Sequence, residues 1–185
     1  MFIAFTGMPG SGKTTATLYL KDHHNFSIVD MGRIVRKTMN DRGIQINNES
    51  LRAFSKALRE DLGPSATAQL TLPYIKKMHG NIVIDGVRGP EEVEYFKENL
   101  KDKKFYLVSI SAPDSIRYSR LSDRKRYDDP STLAGLKERD NKEVEFGILK
   151  SMKLADIVIM NTGTEEEFFK NLDVTLERLR GDLFS

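Results

Sequence analysis

The residues with the clearest capacity for chemistry stand near the start of the chain: Gly7-Met8-Pro9-Gly10-Ser11-Gly12-Lys13-Thr14 follows the spacing G-x-x-x-x-G-K-[ST]. Glycines at these intervals let successive backbone N–H groups converge on phosphate oxygens. A helix opening directly after them adds about half a positive charge aimed at the same point. In such a loop Lys13 reaches the β- and γ-phosphates of a nucleoside triphosphate, and Thr14 is a ligand for Mg2+. Gly7, Gly10, Ser11, Gly12 and Thr15 complete the expected cradle. The motif has this meaning only between a strand and a helix; Phe2–Thr6 reads as the strand and Thr14–Leu20 as the helix. The plain alternative is a glycine-rich turn with a surface lysine.

A phosphate loop also needs a second carboxylate near the metal, usually at the end of a buried strand, and Ile82-Val83-Ile84-Asp85 supplies Asp85 there. Its plain role would be to cap a helix beginning near Pro90. Asp30 closes another apolar run and is placed to orient an acceptor hydroxyl or hold magnesium through water; its plain role is an N-cap. Arg36, on the helix that follows, would hold the acceptor's phosphate; its plain role is a surface arginine. Phosphoryl transfer leaves a protein mainly positioning and charge neutralisation, so the other arginines matter. Arg117, Arg120 and Arg124 recur at i, i+3 and i+7, which puts three guanidinium groups on one helical face, and Arg126 and Arg139 follow.

These groups must be positioned by short buried strands alternating with helices. Phe2–Thr6, Phe26–Val29, Ile82–Asp85, Phe105–Ile110 and Ile157–Met160 are β-branched or aromatic runs of strand length. The expected fold class is therefore α/β: a five-stranded, mainly parallel sheet with helices on both faces, in three layers. One domain spanning residues 1–185 is expected, with a helical insert over about 30–79 and a short lid over about 124–137. Within the insert, Leu51, Phe54, Leu58 and Leu62 form one helical stripe, Gly63-Pro64 punctuates it, and Pro73 should kink or stop the next helix.

Twenty-nine basic and 27 acidic side chains nearly cancel to +2, so no whole-molecule field draws the protein to nucleic acid or membrane. The absence of cysteine excludes disulfides and thiolate zinc sites, and three histidines leave little for another transition-metal cage. Nowhere do eighteen apolar residues run together, and Phe2-Ile3-Ala4-Phe5 is too short for an export signal. A cytoplasmic protein is the expectation; the composition does not reveal its oligomeric state.

With those residues in place, the sequence resembles the nucleoside monophosphate kinases of the P-loop NTPase fold, above all an archaeal set of adenylate-kinase-related proteins. Gly32-Arg33-Ile34-Val35-Arg36 lies where that family's acceptor segment lies, although Arg33 replaces its aspartate. Asp85-Gly86-Val87-Arg88 is similar to another family segment but one residue shorter, and Glu92 stands where a glutamine reads the AMP base. Arg126-Tyr127-Asp128-Asp129 resembles the short lid, and Asn161-Thr162-Gly163-Thr164 the loop that holds the ATP adenine. The resemblance implies transfer of the γ-phosphoryl group of ATP, with Mg2+, to a small phosphorylated acceptor such as AMP. Lys13, Arg120, Arg126, Asp85 and Asp30 would be catalytic, with Arg120, Asn161 and Gly163 on the ATP side. Asp30, Arg36, Arg88, Glu92 and Arg139 would bind the acceptor, and Thr14 and Asp85 the metal. Dephospho-coenzyme A kinases are also similar, through Val29–Arg36 and Ala155–Ile159. A nucleotide-binding regulator and a slow ATPase are the functional alternatives.

Overall fold

The computed structural model describes residues 1–101, 103–124 and 132–181. Five strands, β1 (Phe2–Thr6), β2 (Phe26–Asp30), β3 (Asn81–Asp85), β4 (Phe105–Ser111) and β5 (Ile157–Met160), form one sheet in the order β2-β3-β1-β4-β5. Every pairing is parallel. The fold is the P-loop kinase-like α/β fold. β1 is central, and all five of its residues are buried because helices cover both faces of the sheet.

The two-residue alternation of a strand divides these apolar runs between two cores. On one face Phe2, Ala4, Ile82, Ile84 and Leu107 pack with residues of α4 (Ala66–Lys76) and α5 (Pro90–Asn99). On the other, Ile3, Phe5, Val83, Val108 and Ile110 pack with α1 (Lys13–His24) and α9 (Glu165–Arg180). A strand register slipped by one residue would exchange these sets, so both cores fix it.

The stretch between β2 and β3 folds as α2 (Met31–Asp41), α3 (Asn48–Leu62) and α4, around a third cluster of Val35, Met39, Phe54, Leu58 and Ala66. Two local expectations are corrected. Leu62 does not join the stripe, since it ends α3 and is 44% exposed. Pro73 does not stop its helix: α4 runs on to Lys76, because Leu72 and Ile75 bury themselves in the main core and hold the last turn despite the missing backbone donor. After β4 come α6 (Asp114–Arg124), α7 (Leu133–Glu145) and α8 (Ile148–Lys153). Half of the expected lid, with Arg126, Tyr127, Asp128 and Asp129, lies outside the described residues. No helix among the described residues is long and apolar enough to cross a membrane.

Candidate active site

The strand order changes direction at β1, and the crevice beyond the carboxyl ends of the strands at that point is where open parallel sheets bind ligands. Phe5 is the register partner of Asp85, and Asp85 that of Asp30, so both carboxylates emerge on the edge from which the glycine loop springs. The loop is held by its neighbours. Gly7, Gly10 and Gly12 have φ of 145°, 79° and 108°. A Cβ on Gly7 would strike the Ile110 carbonyl, one on Gly10 would lie 2.6 Å from that of Arg117, and one on Gly12 would strike the Asn161 amide. α1 has neither a capping side chain nor an acidic residue in its first turn, so its N-terminal N–H groups are left for an anion.

Lys13 folds back over this loop, donating from Nζ to the carbonyls of Gly7 (2.5 Å) and Met8 (3.1 Å). Burial is the main reason its ammonium is lowered to about 8; Arg88 and Arg139 push the same way, while Asp85 and Glu143 oppose them. Thr14 is exposed and Thr15 half-buried, and both line the same cleft.

Asp30 does cap α2, accepting from the Arg33 N–H at 2.9 Å through Oδ1, while still lining the cleft. Asp85 does not cap α5. Gly89 takes that position, and Asp85 remains half-buried in the cleft wall. The Arg36 guanidinium lies over Gly32, 3.5 Å from where a Cβ would stand. Arg88 donates through Nη1 to the Gly86 carbonyl (3.2 Å) and through Nε to Glu143 (2.9 Å), whose charge is the main cause of its raised pKa. A Cβ on Gly86 would lie 3.9 Å from both Arg88 Nη1 and the Gly32 nitrogen, so the two glycine turns adjoin, with Arg36 beside one and Arg88 beside the other.

Three expected residues stand elsewhere. Glu92 is 1% exposed and outside the cleft wall; its Oε2 accepts from the N–H groups of Arg88 (2.8 Å) and Gly89 (3.2 Å), so it closes the first turn of α5 rather than facing a bound base. Gly163 is exposed and outside the wall too. A Cβ there would strike the Glu167 carboxylate that caps α9. Arg117 leaves the arginine face altogether. At 2% exposure it donates to the Pro9 carbonyl (2.8 Å), Asp114 (2.6 Å) and Asp140 (2.5 Å), bonds that outweigh burial and raise its pKa. Arg120, Arg124 and Arg139 do line the cleft. Asn161 joins two parts of it, donating from Nδ2 to the Ser11 carbonyl and accepting from Arg120 at Oδ1 (3.1 Å).

The cleft has a volume of about 1420 Å³, and nine cationic but only five anionic side chains line it. More positive charge is concentrated there than the whole chain carries net. Sequence reasoning missed Arg52, Ser55 and Arg59, which bring α3 into the wall, and Glu143 and Phe146 from the end of α7. The available signal was the i, i+3, i+7 spacing of Arg52, Ser55 and Arg59 beside the Leu51–Phe54–Leu58 stripe.

A family model described as AAA domain matches residues 3–146. A UPF0200 protein of Pyrococcus horikoshii is 37% identical over 182 residues, 97% of each chain. The chain belongs to the UPF0200 family and carries an AAA domain. A UPF0200/UPF0201 protein of Archaeoglobus fulgidus, 38% identical over 180 residues, matches 96% of this chain across 55% of its own length. Among solved structures, TT1252 from Thermus thermophilus is similar at a TM-score of 0.66 and 16% identity, covering 100% of this chain and 98% of that one. Shikimate kinase from Aquifex aeolicus is similar at 0.60 and 18%, covering 100% and 99%. At these identities the likeness of this UPF0200 chain to the solved structures is one of fold.

Proposed function

We propose that this UPF0200 protein is an ATP-dependent phosphotransferase that passes the γ-phosphoryl group to a small phosphorylated acceptor. A nucleoside monophosphate such as AMP is the acceptor that the family resemblance implies. The observation that carries the reading is that one cleft is lined both by the glycine loop, Lys13 and Arg120 and by Arg36, Arg88, Asp30 and Asp85, which this reading takes as a donor side and an acceptor side. A hydrolase needs only the first side. The shikimate kinase among the solved structures of similar fold agrees with small-molecule kinase chemistry.

In this reading the loop N–H groups, the start of α1 and Lys13 hold the β- and γ-phosphates, and Arg120 faces the charge that develops on the transferred group. Asp30, its Oδ1 occupied by the Arg33 N–H, has Oδ2 left to hold magnesium through water, or to accept a hydrogen bond where the attacking oxygen is a hydroxyl; an attacking phosphate oxygen carries no proton to give. Arg36 and Arg88 orient the acceptor phosphate. Thr14 and Asp85 offer hard oxygen donors suited to Mg2+, which keeps most of its ligands as water and substrate phosphate. Among the described residues no cluster of three carboxylate or histidine ligands offers a self-sufficient cage. When bound, the metal would neutralise charge on the β- and γ-oxygens.

The test is ADP formation from ATP and Mg2+ with nucleoside monophosphates, dephospho-coenzyme A, shikimate and gluconate each offered in turn. A phosphorylated acceptor should raise the rate about 10²-fold over hydrolysis, the gain expected of an oriented second reactant. Binding of ATP with no transfer to any of them would favour a regulator instead, and phosphate release indifferent to acceptor would favour an ATPase.

A further inference from the structure

The acceptor end of the cleft holds more cation than one phosphate needs. Arg36 and Arg88 already line it, beside the adjoining turns at Gly32 and Gly86. Arg59 reaches the same cleft from a different element, α3. Its guanidinium carbon lies over the Phe146 ring, 4.5 Å from the centroid, and the group donates from Nη1 to the Ser55 carbonyl of its own helix. Its nearest anion, Glu92 Oε1, is 3.7 Å from Nη2, beyond hydrogen-bonding reach, and that oxygen has no hydrogen-bond partner. The other Glu92 oxygen is already occupied by two backbone N–H groups. Burial is the first reason the Arg59 pKa is lowered, and the Arg88 charge adds to it. Arg59 is therefore a half-desolvated, incompletely paired cation held over an aromatic ring, an arrangement suited to recognition of a phosphate or carboxylate.

We infer that Arg59 forms a second anion subsite on the acceptor side, so that the acceptor carries, besides the phosphate held by Arg36 and Arg88, a further phosphate or carboxylate. The inference rests on the phosphotransferase reading for the word acceptor, but the subsite itself can be tested by binding alone. It also gives a physical reason for the displacement of Glu92. A carboxylate turned inward to hold backbone cannot read a neutral base, and the nearest group facing the cleft from that side is a cation.

The experiment is calorimetric titration of the full chain, with its donor side saturated by a non-hydrolysable ATP analogue and Mg2+. Matched probes differ by one anionic group: AMP and adenosine 3′,5′-bisphosphate, fructose 6-phosphate and fructose 1,6-bisphosphate, glycerol 3-phosphate and 3-phosphoglycerate. In the wild type, at least one doubly anionic probe should bind about tenfold or more tightly than its partner, the gain expected of a charge-assisted contact. Arg59→Gln should remove that gain while changing the singly phosphorylated probe less than about threefold, and Arg59→Lys should keep part of it. Arg36→Gln should weaken both members of every pair. If no pair differs by more than about threefold in the folded wild type, or if the gain survives in Arg59→Gln, the subsite does not exist. Should the gain behave as expected while no probe supports ADP formation, the subsite stands and the phosphotransferase reading falls.

Discussion

Asn161 donates from its side-chain amide to the backbone carbonyl of Ser11 at 2.9 Å, tying the end of β5 to the middle of the phosphate loop. The same amide group accepts from Arg120 at 3.1 Å, so one buried side chain sets both the loop and the cation beside it.

Asn161→Ala should therefore have two effects. Leaving the Ser11 carbonyl without its buried partner should cost about 1–3 kcal/mol of stability, read as a fall in thermal midpoint. Losing the orientation of Arg120 should lower kcat further than KM rises. Asn161→Asp should be no better, since a carboxylate has no N–H to offer Ser11.

Lys13 predicts a pH signature. Its folded-state pKa is lowered from 10.5 to about 8, so between those values the unfolded chain binds more protons and stability rises with pH. The ligand-free wild type should gain stability relative to Lys13→Met from pH 8 to 10.5, and show no such trend below that window. A bound triphosphate should raise the Lys13 pKa again, so calorimetry in two buffers of different ionisation enthalpy should find proton uptake near pH 8 but little at pH 6. Equal proton uptake at both values would contradict this.

Arg117 and Arg120 belong to one helix but should fail differently. Arg117→Leu removes the partner of the nearly buried Asp140 and should cost about 3–5 kcal/mol of stability. Arg120→Leu leaves only Asn161 Oδ1 unpaired, so it should cost no more than about 1–3 kcal/mol while slowing transfer about 10³-fold, the lower end for a positioned arginine. Denaturant unfolding beside single-turnover kinetics separates the two.

Burial raises the Glu92 carboxyl above its ordinary value. Its ionisation thus weakens the fold as pH rises through the range above 4.5, and Glu92→Gln should abolish that trend while still accepting from Arg88 and Gly89. Glu92→Ala leaves both N–H groups unpaired and should lower stability by about 2–4 kcal/mol. Neither change should create a preference for AMP over other nucleoside monophosphates, since the side chain is outside the cleft wall.

The strands and the glycine loop were legible because their signals are local: short β-branched runs, and a motif that needs only its own strand and helix. Asp30 and Asp85 were legible as strand ends. What escaped depended on partners far along the chain. Arg117 has the spacing of a phosphate-facing arginine, and besides the neighbouring Asp114 it is Pro9 and Asp140, 108 and 23 residues away, that hold it inward. Glu92 did carry a local sign, standing three residues after the cap of its helix, but the cap is Gly89 and not a hydroxyl residue, so the pattern was easily passed over. Arg59 was hidden because the helix stripe beside it drew attention to packing, and Phe146 lies in another element.

The order of the strands works as a spacer. Asp30 ends β2 and the phosphate loop leaves β1, with only β3 between them. Two strand intervals set that separation at about 10 Å. No loop or side chain can lengthen it, because it is ruled by backbone hydrogen bonds across the sheet. The helices from α2 to α4 hang beyond that ruler and can change shape and charge without moving it. On the proposed reading, relatives sharing this sheet could exchange acceptors by altering the outer helices alone, the spacing of Asp30 from the phosphate loop staying the same.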